Sequence, residues 1–533
     1  MPDASLPGGP LGQALALGIY LLVVMGPLLA LTGLTVRSLL GGQADELALV
    51  LPTGRRLELL ANSLALSAAV AALVTVEGWL AATAIWAMAR SRANALLFLV
   101  LPLAALPPYL YALAWFGLVR GLEPLLALLG LGAPAPYGWT GVLWVQGAAF
   151  APLGLGFAWL GLRNLDPDLI DSGRTARHDA AVLARIALPM SAPALATGAG
   201  IVFLLSLLDY SVPSLFQINV YPLEVFADYS ATNSPERALL MTIPLLLIAG
   251  AAAASLLRPI RALTTRMPSG GRRWSSPPHW PVGLITLQWL ALGLLSLQAL
   301  APLGVLLAQS GGLGGIGLSL ASAWGDLRSS LWSAGLAGAM SALVGMGLAR
   351  RLRNETGGGV WWLLAIAPLA IPASLAGMGF VVVTAPLEGF LRGALVLGPA
   401  LVLFSRFVPL SALILLAQMR RLDPLLFESA RLSESSAWRR GILVEIPLLG
   451  GALLAAAGLV FALSLGELGA TLLAVPPGMG ALSIRIYNYL HYGASETVAG
   501  LCLVLEICVL AAAVGTLALA ARWERRIASG EAR

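Results

Sequence analysis

Two acidic residues, Asp209 and Glu467, lie inside long apolar stretches of the sequence. An ionised side chain in hydrocarbon costs about 2.5–3.5 kcal/mol on membrane-insertion scales, so each of them requires a reason. A facing pair of carboxylates suits a cation or a protonatable gate on a translocation pathway, because oxygen ligands suit hard metal ions. The alternative is that each carboxylate caps a broken helix end, since Pro213 and Gly469 follow closely. Both interpretations are open on the sequence alone, and no metal ligand is assigned.

Two dipeptides, Asp166-Pro167 and Asp423-Pro424, have the chemistry of a helix start. The aspartate carboxylate accepts hydrogen bonds from free amide groups of the first turn, and proline at the first helical position loses no hydrogen bond. The segments around them are too polar to span a membrane and too apolar to be disordered. We therefore predict two short helices, one after each aspartate.

Each predicted short helix combines an apolar patch with a small residue, Gly173 in the first helix and Ala430 in the second. The small residue permits close approach by a partner, and Arg174 and Arg431 add charge beside it. Such a helix either lies on lipid headgroups or docks on a soluble motor subunit. The presence of the patch at two equivalent places favours docking. The patches consist of Leu169 and Ile170, and of Leu426 and Phe427.

The chain contains an internal repeat. Phe150–Leu153 followed by Leu165–Pro167 recurs as Phe407–Leu410 followed by Leu422–Pro424, at a constant offset of 257 positions. Self-similarity at a fixed offset indicates a duplication. Asp209 and Glu467 are then equivalent positions of the two copies. The match continues with Asp171, Gly173, Arg174 and Pro189 against Glu428, Ala430, Arg431 and Pro447, the last pair after a one-residue shift.

The remaining unusual residues have no counterpart in the other copy. Glu77, Arg406 and Glu506 fall within apolar stretches, and we expect internal ion pairs or positions that face the helix bundle. Cys502 and Cys508 share one apolar run, which offers neither a disulfide framework nor a metal cluster. His279 is expected on the surface of a linker.

The composition requires a membrane. The mean hydropathy is +0.86, with 58% apolar and 11% charged residues, whereas a soluble chain carries about a quarter charged residues. Spans of about 20 apolar residues cross the hydrocarbon core. The predicted fold is an all-α integral membrane protein of about twelve transmembrane helices in two parallel six-helix repeats. The predicted spans are 12–33, 60–88, 95–119, 140–162, 193–215, 238–257, 284–308, 329–349, 360–384, 395–418, 452–474 and 499–521.

The basic residues orient the chain. All 32 are arginine, and 23 of them fall on one side of the predicted bundle, 8 on the other, and Arg406 within a helix. The positive-inside rule then places both termini in the cytoplasm. The net charge of +6 fits this orientation rather than nucleic-acid binding. Without a lysine the chain has no phosphate-binding loop, so any ATP is bound by another chain.

The second loop is similar to a known signature. Glu428-Ser429-Ala430, with Pro447 nineteen residues further on, resembles the coupling loop of permeases of ATP-binding-cassette (ABC) importers, and the first copy is similar. Both copies depart from the signature at its central glycine, where Glu434 stands in the second copy and Ala176 or Arg177 in the first. The resemblance covers the whole duplicated architecture.

The resemblance implies a type I, binding-protein-dependent importer permease, which is a transport subunit and not an enzyme. It implies a first repeat at 1–257 with a coupling loop at 164–190, a cytoplasmic linker at 258–281, and a second repeat at 282–533 with a coupling loop at 421–447. The residues implied to couple to the ATPase are Asp166, Pro167, Asp171, Gly173, Arg174, Pro189, Asp423, Pro424, Glu428, Ala430, Arg431 and Pro447.

The segment Glu467–Leu473, followed by Pro476-Pro477-Gly478 and Ser483–Asn488, is most similar to the fused ferric-iron permeases. This resemblance implies ferric iron as substrate, two copies of a nucleotide-binding ATPase that carry ATP and magnesium, a substrate-binding protein, and the cytoplasmic membrane of a bacterium. No cofactor is implied for this chain. Thiamine, phosphonate or another small solute is the alternative. A secondary transporter driven by an ion gradient and a structural scaffold are the rival classes.

Overall fold

The fold is known from a computed structural model, which describes residues 9–42, 44–130, 132, 137–265, 278–353, 358–387, 395–434, 436–492 and 495–528. Within these ranges the chain is helical and contains no strand. Eleven helices are long and apolar enough to cross a membrane, and a bent pair, Gly359–Ala370 with Ala373–Thr384, makes a twelfth span. The prediction of an all-α integral membrane protein with about twelve helices is confirmed.

The described residues of the first half form thirteen α-helices. A π-helical turn at Leu21–Met25 joins the first two, and another at Leu183–Ala187 joins α8 to α9. The helices are α1 (Gly9–Tyr20), α2 (Gly26–Leu40), α3 (Arg55–Ala87), α4 (Arg90–Val100), α5 (Pro108–Leu128), α6 (Trp139–Arg163), α7 (Pro167–Ala176), α8 (Asp179–Val182), α9 (Leu188–Leu207), α10 (Ser211–Leu215), α11 (Tyr221–Thr232), α12 (Pro235–Ser255) and α13 (Leu257–Thr265).

In the described part of the second half the elements follow a similar order. A π-helical turn at Gly441–Glu445 again precedes the long helix after the loop. The helices are α14 (Val282–Gln309), α15 (Gly312–Ser322), α16 (Trp324–Arg353), α17 (Gly358–Ile366), α18 (Ala373–Thr384), α19 (Gly398–Arg421), α20 (Pro424–Ser433), α21 (Ala437–Arg440), α22 (Ile446–Leu465), α23 (Thr471–Ala474), α24 (Leu482–Tyr492) and α25 (Ser495–Ala528).

The bundle has two ends. We call the end that carries α7 and α20 the loop face, and the end that carries α11 and α24 the far face. The predicted linker at 258–281 lies at the loop face, and its residues 266–277 fall outside the described ranges. Its first residues are helical, since α13 extends to Thr265 and packs on α9 and α19.

The first long helix of each half packs against the other half. The segment α1–α2 contacts α16 and α18, whereas α14 contacts α3 and α5. Each of these helices also contacts the last long helix of its own half, α12 for α2 and α25 for α14. The two halves are therefore interlocked rather than placed side by side.

Small residues allow a close helix crossing between α3 and α6. A Cβ atom built on Gly78 would lie 2.3 Å from the carbonyl carbon of Gly154, and one built on Gly154 would lie 2.4 Å from the carbonyl oxygen of Val74. Glycine pairs let helix backbones approach in membranes, where close packing and not the hydrophobic effect holds helices together.

We expect Gly154→Leu to destabilise the bundle, because the added side chain separates α3 from α6. Overpacking of this kind costs about 1–3 kcal/mol. The measurement is the melting temperature of the detergent-purified protein. Gly293→Leu is the matched control, since nothing lies within 4 Å of a Cβ atom at Gly293. Equal melting temperatures for the two variants would contradict the assigned crossing.

Two predicted spans are broken by proline. The span predicted at 95–119 divides at Pro107 into α4, a 3-10 turn at Leu101–Ala105, and α5. The span predicted at 360–384 bends by 101° between its two parts, at Pro372. Proline lacks the amide hydrogen of a helix interior and disfavours helical backbone at the preceding residue, and this preference prevails over the apolar pattern.

Two other predicted spans end early. The helix predicted at 193–215 ends at Leu207, and the one predicted at 452–474 ends at Leu465. Both extend further than predicted toward the loop face, through their π-helical turns. The early ends arise because the backbone turns at Asp209 and Glu467, whose carboxylates bind the next amide groups.

Candidate translocation pathway

A cavity of about 280 Å³ lies between the two halves near the loop face. Its lining is mainly apolar and comes from α6, α9, α13, α19 and α22. Matched positions of the repeat face each other across it, such as Phe157 and Ile414, or Leu160 and Ala417. Polar residues surround its loop-face end, namely Asn164, Thr264, Arg420 and Arg421.

Toward the far face, two turns and two helix breaks close the space above this cavity. A Cβ atom built on Gly466 would lie 2.3 Å from Cγ of Pro107, which belongs to the break in the first half. One built on Gly469 would lie 2.8 Å from Cβ of Ala373, at the break in the second half, and 3.5 Å from the ring of Tyr210. We call this contact region the far-face gate. Irregular backbone at membrane depth is tolerated where it is buried or lines a cavity.

Asp209 caps the short helix α10. Its Oδ1 accepts hydrogen bonds from the amide (2.9 Å) and the hydroxyl (2.6 Å) of Ser211, and its Oδ2 accepts one from Nε2 of Gln146 (3.0 Å). Ser206 donates its hydroxyl to Oε1 of the same Gln146 at 2.7 Å. The carboxylate is thus held by its own turn and by one buried amide side chain.

Glu467 holds the equivalent turn of the second half. Its carboxylate accepts hydrogen bonds from the amides of Ala470 and Thr471 at 3.1 Å, and from the Thr471 hydroxyl at 3.0 Å. Nε of Arg406 lies 3.7 Å from Oε1. These contacts correspond to the helix-cap interpretation. A role for Asp209 and Glu467 in the translocation pathway stays a prediction. The two residues lie just after the ends of the long helices α9 and α22, and not inside them as expected.

Two serines anchor the far-face helices in the same way in both halves. Ser63 Oγ accepts a hydrogen bond from the amide of Tyr221 at 2.8 Å, and Ser330 Oγ accepts one from the amide of Leu482 at 2.9 Å. Each bond ties the first residue of α11 or α24 to a long helix, α3 or α16. The sequence interpretation missed this pair, because single serines in apolar helices carry no distinctive pattern.

The two short helices at the loop face begin where the sequence predicts. Asp166 Oδ1 accepts a hydrogen bond from the amide of Asp168 at 3.0 Å, and Asp423 Oδ1 accepts one from the amide of Leu425 at 2.9 Å. Pro167 and Pro424 stand at the first helical positions. The predicted helix starts are confirmed, while their role in coupling to an ATPase stays a prediction.

The small residues of these helices are in contact with other parts of the chain. A Cβ atom on Gly173 would lie 2.6 Å from Cδ1 of Ile186, and Ala430 is 7% exposed. Half of each predicted apolar patch is used internally as well, since Ile170 is buried and Phe427 lies 4.4 Å beneath the guanidinium of Arg353. Gly173 packs on the π-helical turn that follows its own loop, and a role for Gly173 and Ala430 in receiving a partner stays a prediction.

Each of the two short helices carries exposed leucine. Leu169 is 41% exposed and Leu426, its equivalent, 44%. In the second helix, Leu425 and Leu432 are exposed too, and Leu432 is 91% exposed. The exposed side of each helix therefore combines leucine with polar residues, such as Ser172 and Glu428, and a second protein can cover it at the loop face.

Charged residues hold the first loop in place. Arg174 donates from Nε to Oδ1 of Asp179 at 2.8 Å, and lies 3.9 Å from Oδ1 of Asp171. Asp179 also accepts a hydrogen bond from the amide of His279 at 2.5 Å. His279 has an exposed side chain, as expected, but its backbone docks the end of the linker on this loop. The side chain of Arg431, the equivalent of Arg174, lies outside the described residues.

The two prolines that close the predicted loops stand at the second position of the long helices α9 and α22. These are Pro189 and Pro447. Pro447 also accepts a hydrogen bond through its carbonyl oxygen from Nε1 of Trp523 at 2.8 Å. Glu428 is exposed on α20 and is available to a partner.

Comparison with known proteins agrees with this arrangement. No protein-family model matches the chain. A putative 2-aminoethylphosphonate transport system permease protein of Salmonella typhimurium is 31% identical over 196 residues, which cover 36% of this chain and 72% of the relative. The protein of the same name from Salmonella choleraesuis has the same identity and coverage, and that of Salmonella typhi is 30% identical. The chain belongs to the ABC importer permease family.

A buried ion pair joins α16 to the second loop of this permease. Nη2 of Arg350 donates to Oε2 of Glu445 at 2.6 Å, and both residues are buried. Neither position is charged in the first half. Thr83 lies 20 residues after Ser63, as Arg350 lies 20 after Ser330, and Ala187 precedes Pro189 by two residues, as Glu445 precedes Pro447. The pair joins the π-helical turn Gly441–Glu445 to α16.

We expect Glu445→Ala to destabilise the permease strongly, because it leaves the buried Arg350 without its carboxylate. Removing one partner of a buried pair costs about 3–5 kcal/mol, whereas replacing both with apolar residues is often neutral. The measurement is the melting temperature of Glu445→Ala beside that of the double variant Arg350→Met, Glu445→Leu. A double variant that is less stable than Glu445→Ala would contradict this prediction.

Two of the unmatched acidic residues are buried without an ion pair in the described part of the permease. Glu77 of α3 faces Gln298 of α14, and Glu506 of α25 lies near Tyr111 of α5. They face the bundle, as expected. Among the described residues no three His, Cys, Asp or Glu side chains gather in a way that could hold a metal ion.

Proposed function

We propose that this permease is the membrane subunit of a bacterial ABC importer for a small phosphonate-class solute. It receives the solute from a substrate-binding protein at the far face and releases it at the loop face. Two copies of an ATPase subunit bind ATP and magnesium, and this chain binds neither. The family assignment supports the role of membrane subunit, whereas the substrate and the partners are proposed.

The observation that carries the proposal is the pair of short helices at the loop face. Each begins with a capped Asp-Pro, presents an exposed leucine, and leads through a π-helical turn into a long helix that lines the cavity. Movement of an ATPase on either helix is thereby transmitted directly to the walls of the pathway. The match of the two loops supports an internal duplication with coupling loops at 164–190 and 421–447.

The orientation follows from the arginines. The predicted excess of arginine lies on the side of the loops, so we assign the loop face to the cytoplasm, together with both termini and the linker at 258–281. The far face then lies outside, where the binding protein docks. The cavity lies toward the cytoplasm and the gate above it is closed, which is an inward-facing state of an alternating-access cycle.

Two observations bear on the solute. The curated relatives are named for 2-aminoethylphosphonate, and the pathway carries arginines at its cytoplasmic end and beside its gate. Both favour a small anion. Ferric iron is the second candidate, on the similarity of Glu467–Leu473 to the ferric-iron permeases.

Uptake measurements separate these candidates. Cells that carry the permease, its ATPase and its binding protein should accumulate labelled 2-aminoethylphosphonate, and cells that lack only the permease should not. Labelled ferric iron, supplied in the same way, should show no such difference. Accumulation of iron without accumulation of the phosphonate would replace the first candidate by the second.

A further inference from the structure

Arg406 extends the face of α19 that lines the cavity. On a helix, positions three and four apart share a face, and Leu410, Leu413, Ala417 and Arg420 all line the cavity. Arg406 precedes Leu410 by one turn, about 6 Å toward the far face. It therefore stands where the cavity meets the far-face gate.

Three parts of the gate meet at this arginine. Its Nε atom lies 3.7 Å from Oε1 of Glu467, in the capped turn of the second half. Its side chain also borders a narrow crevice beside Ile371 and Leu375, at the break between α17 and α18. The ring of Tyr210, from the turn of the first half, borders the same turn, since a Cβ atom on Gly469 would lie 3.5 Å from Cε1 of Tyr210 and 3.6 Å from Oε1 of Glu467. Discontinuous helices of this kind form the substrate sites of many transporters.

Two nitrogen atoms of the Arg406 guanidinium make no hydrogen bond to the described residues. Nε and Nη1 of Arg406 are buried and have no hydrogen-bond partner among the described residues. Its other close contact is the ring of Phe407, 5.7 Å from the guanidinium carbon. The hydroxyl of Tyr210 is buried without a hydrogen-bond partner in the same part of the structure. Buried donors without acceptors are costly, so an acceptor that arrives during transport is bound favourably.

The charge of Arg406 is available to a solute. The carboxylate of Glu467 accepts hydrogen bonds from the amides of Ala470 and Thr471. The distance of 3.7 Å between its Oε1 and Nε of Arg406 exceeds that of a hydrogen bond. The corresponding residue of the first half is Ala149, which carries no charge. Guanidinium groups bind phosphonate and carboxylate oxygens through two parallel hydrogen bonds.

We propose that Arg406 contacts the oxyanion group of the solute as it passes from the far-face gate into the cavity, and so selects anionic solutes. This inference rests on the proposed function and names the residue that recognises the anionic group of the solute. The competing account is that Arg406 serves the structure through its pairing with Glu467.

The test combines binding and uptake. Binding is read from the broadening of the ³¹P NMR signal of 2-aminoethylphosphonate by the purified full chain. The wild type should broaden the signal, R406Q should not, and R406K should retain part of the effect. R37Q, at an exposed arginine of α2, is the matched control and should behave as wild type. Broadening that is absent in the wild type, or unchanged in R406Q, would overturn the assignment whatever the uptake shows.

Uptake in cells then separates contact from pairing. R406Q should lower the initial rate of 2-aminoethylphosphonate uptake at least tenfold, and the double variant R406Q, E467Q should be as slow as R406Q. Recovery of the rate in the double variant would show that Arg406 serves to neutralise Glu467, and would overturn the proposal. Wild-type cells that take up no phosphonate, together with normal ³¹P broadening, would contradict the proposed function and leave Arg406 as an anion site.

Discussion

Uptake is expected to be lost when Leu169 and Leu426 are both replaced by aspartate, although the chain still inserts in the membrane. These leucines are the equivalent exposed residues of α7 and α20. Burial of a leucine contributes about 1.5–3 kcal/mol, so each substitution weakens the docking of its own ATPase copy by about 10-fold or more. The measurement is the initial rate of solute uptake, normalised to the amount of permease in the membrane.

The control for this variant is Leu51→Asp, which makes the same change at an exposed leucine of the far face. The uptake rate of the Leu51→Asp variant should equal that of the wild type. Gly173 is a poor site for this test, because a larger residue there would collide with Ile186 and distort the loop itself. Wild-type uptake by the double aspartate variant would show that the two leucines lie on lipid and do not receive the ATPase.

The second large effect is expected at Gly466. Its φ of −92° suits any residue, so a substitution acts through space alone. Gly466→Val would place a Cβ atom 2.3 Å from Cγ of Pro107 and prevent closure of the far-face gate. We expect at least tenfold slower uptake with ATP hydrolysis retained, because an importer that cannot close one gate hydrolyses ATP without moving its solute.

Gly250→Val is the matched control for the gate variant, since a Cβ atom at Gly250 meets nothing within 4 Å. The measurement is the amount of solute taken up for each ATP hydrolysed, in vesicles that contain the complete transporter. A normal ratio in Gly466→Val would mean that the contact with Pro107 is not part of the gate.

The sequence was most informative where local chemistry decides the structure. Asp166 and Asp423 were predicted to start helices, and they do, because capping depends on neighbours along the chain. The number of spans could likewise be predicted from the lengths of the apolar stretches, which are a local property of the sequence. Neither inference required knowledge of what packs against these segments.

The helix breaks show where a signal was present but undervalued. Pro107 and Pro372 stand in long apolar stretches, and a proline there is a known helix breaker. The turns at Asp209 and Glu467 were weighed as caps, yet both helices were predicted to continue through them. Apolar length alone does not distinguish a continuous span from a broken one.

Contacts between distant segments could not be inferred from the sequence. Gly173 was expected to face a partner, but only the fold shows that Ile186 occupies that space. The same is true of Arg406, which the sequence left without a partner and which lies beside the turn of Glu467. Such pairings depend on the rotation of each helix in the bundle.

The central claim is that two ATPase subunits bind the two short helices of this permease, and its most direct test is the composition of the complex in mild detergent. The account predicts two ATPase copies for each wild-type chain, one copy for Leu169→Asp or Leu426→Asp alone, and none for the double variant. Recovery of the chain alone from wild-type membranes, with uptake that collapses when the proton gradient is removed, would contradict it.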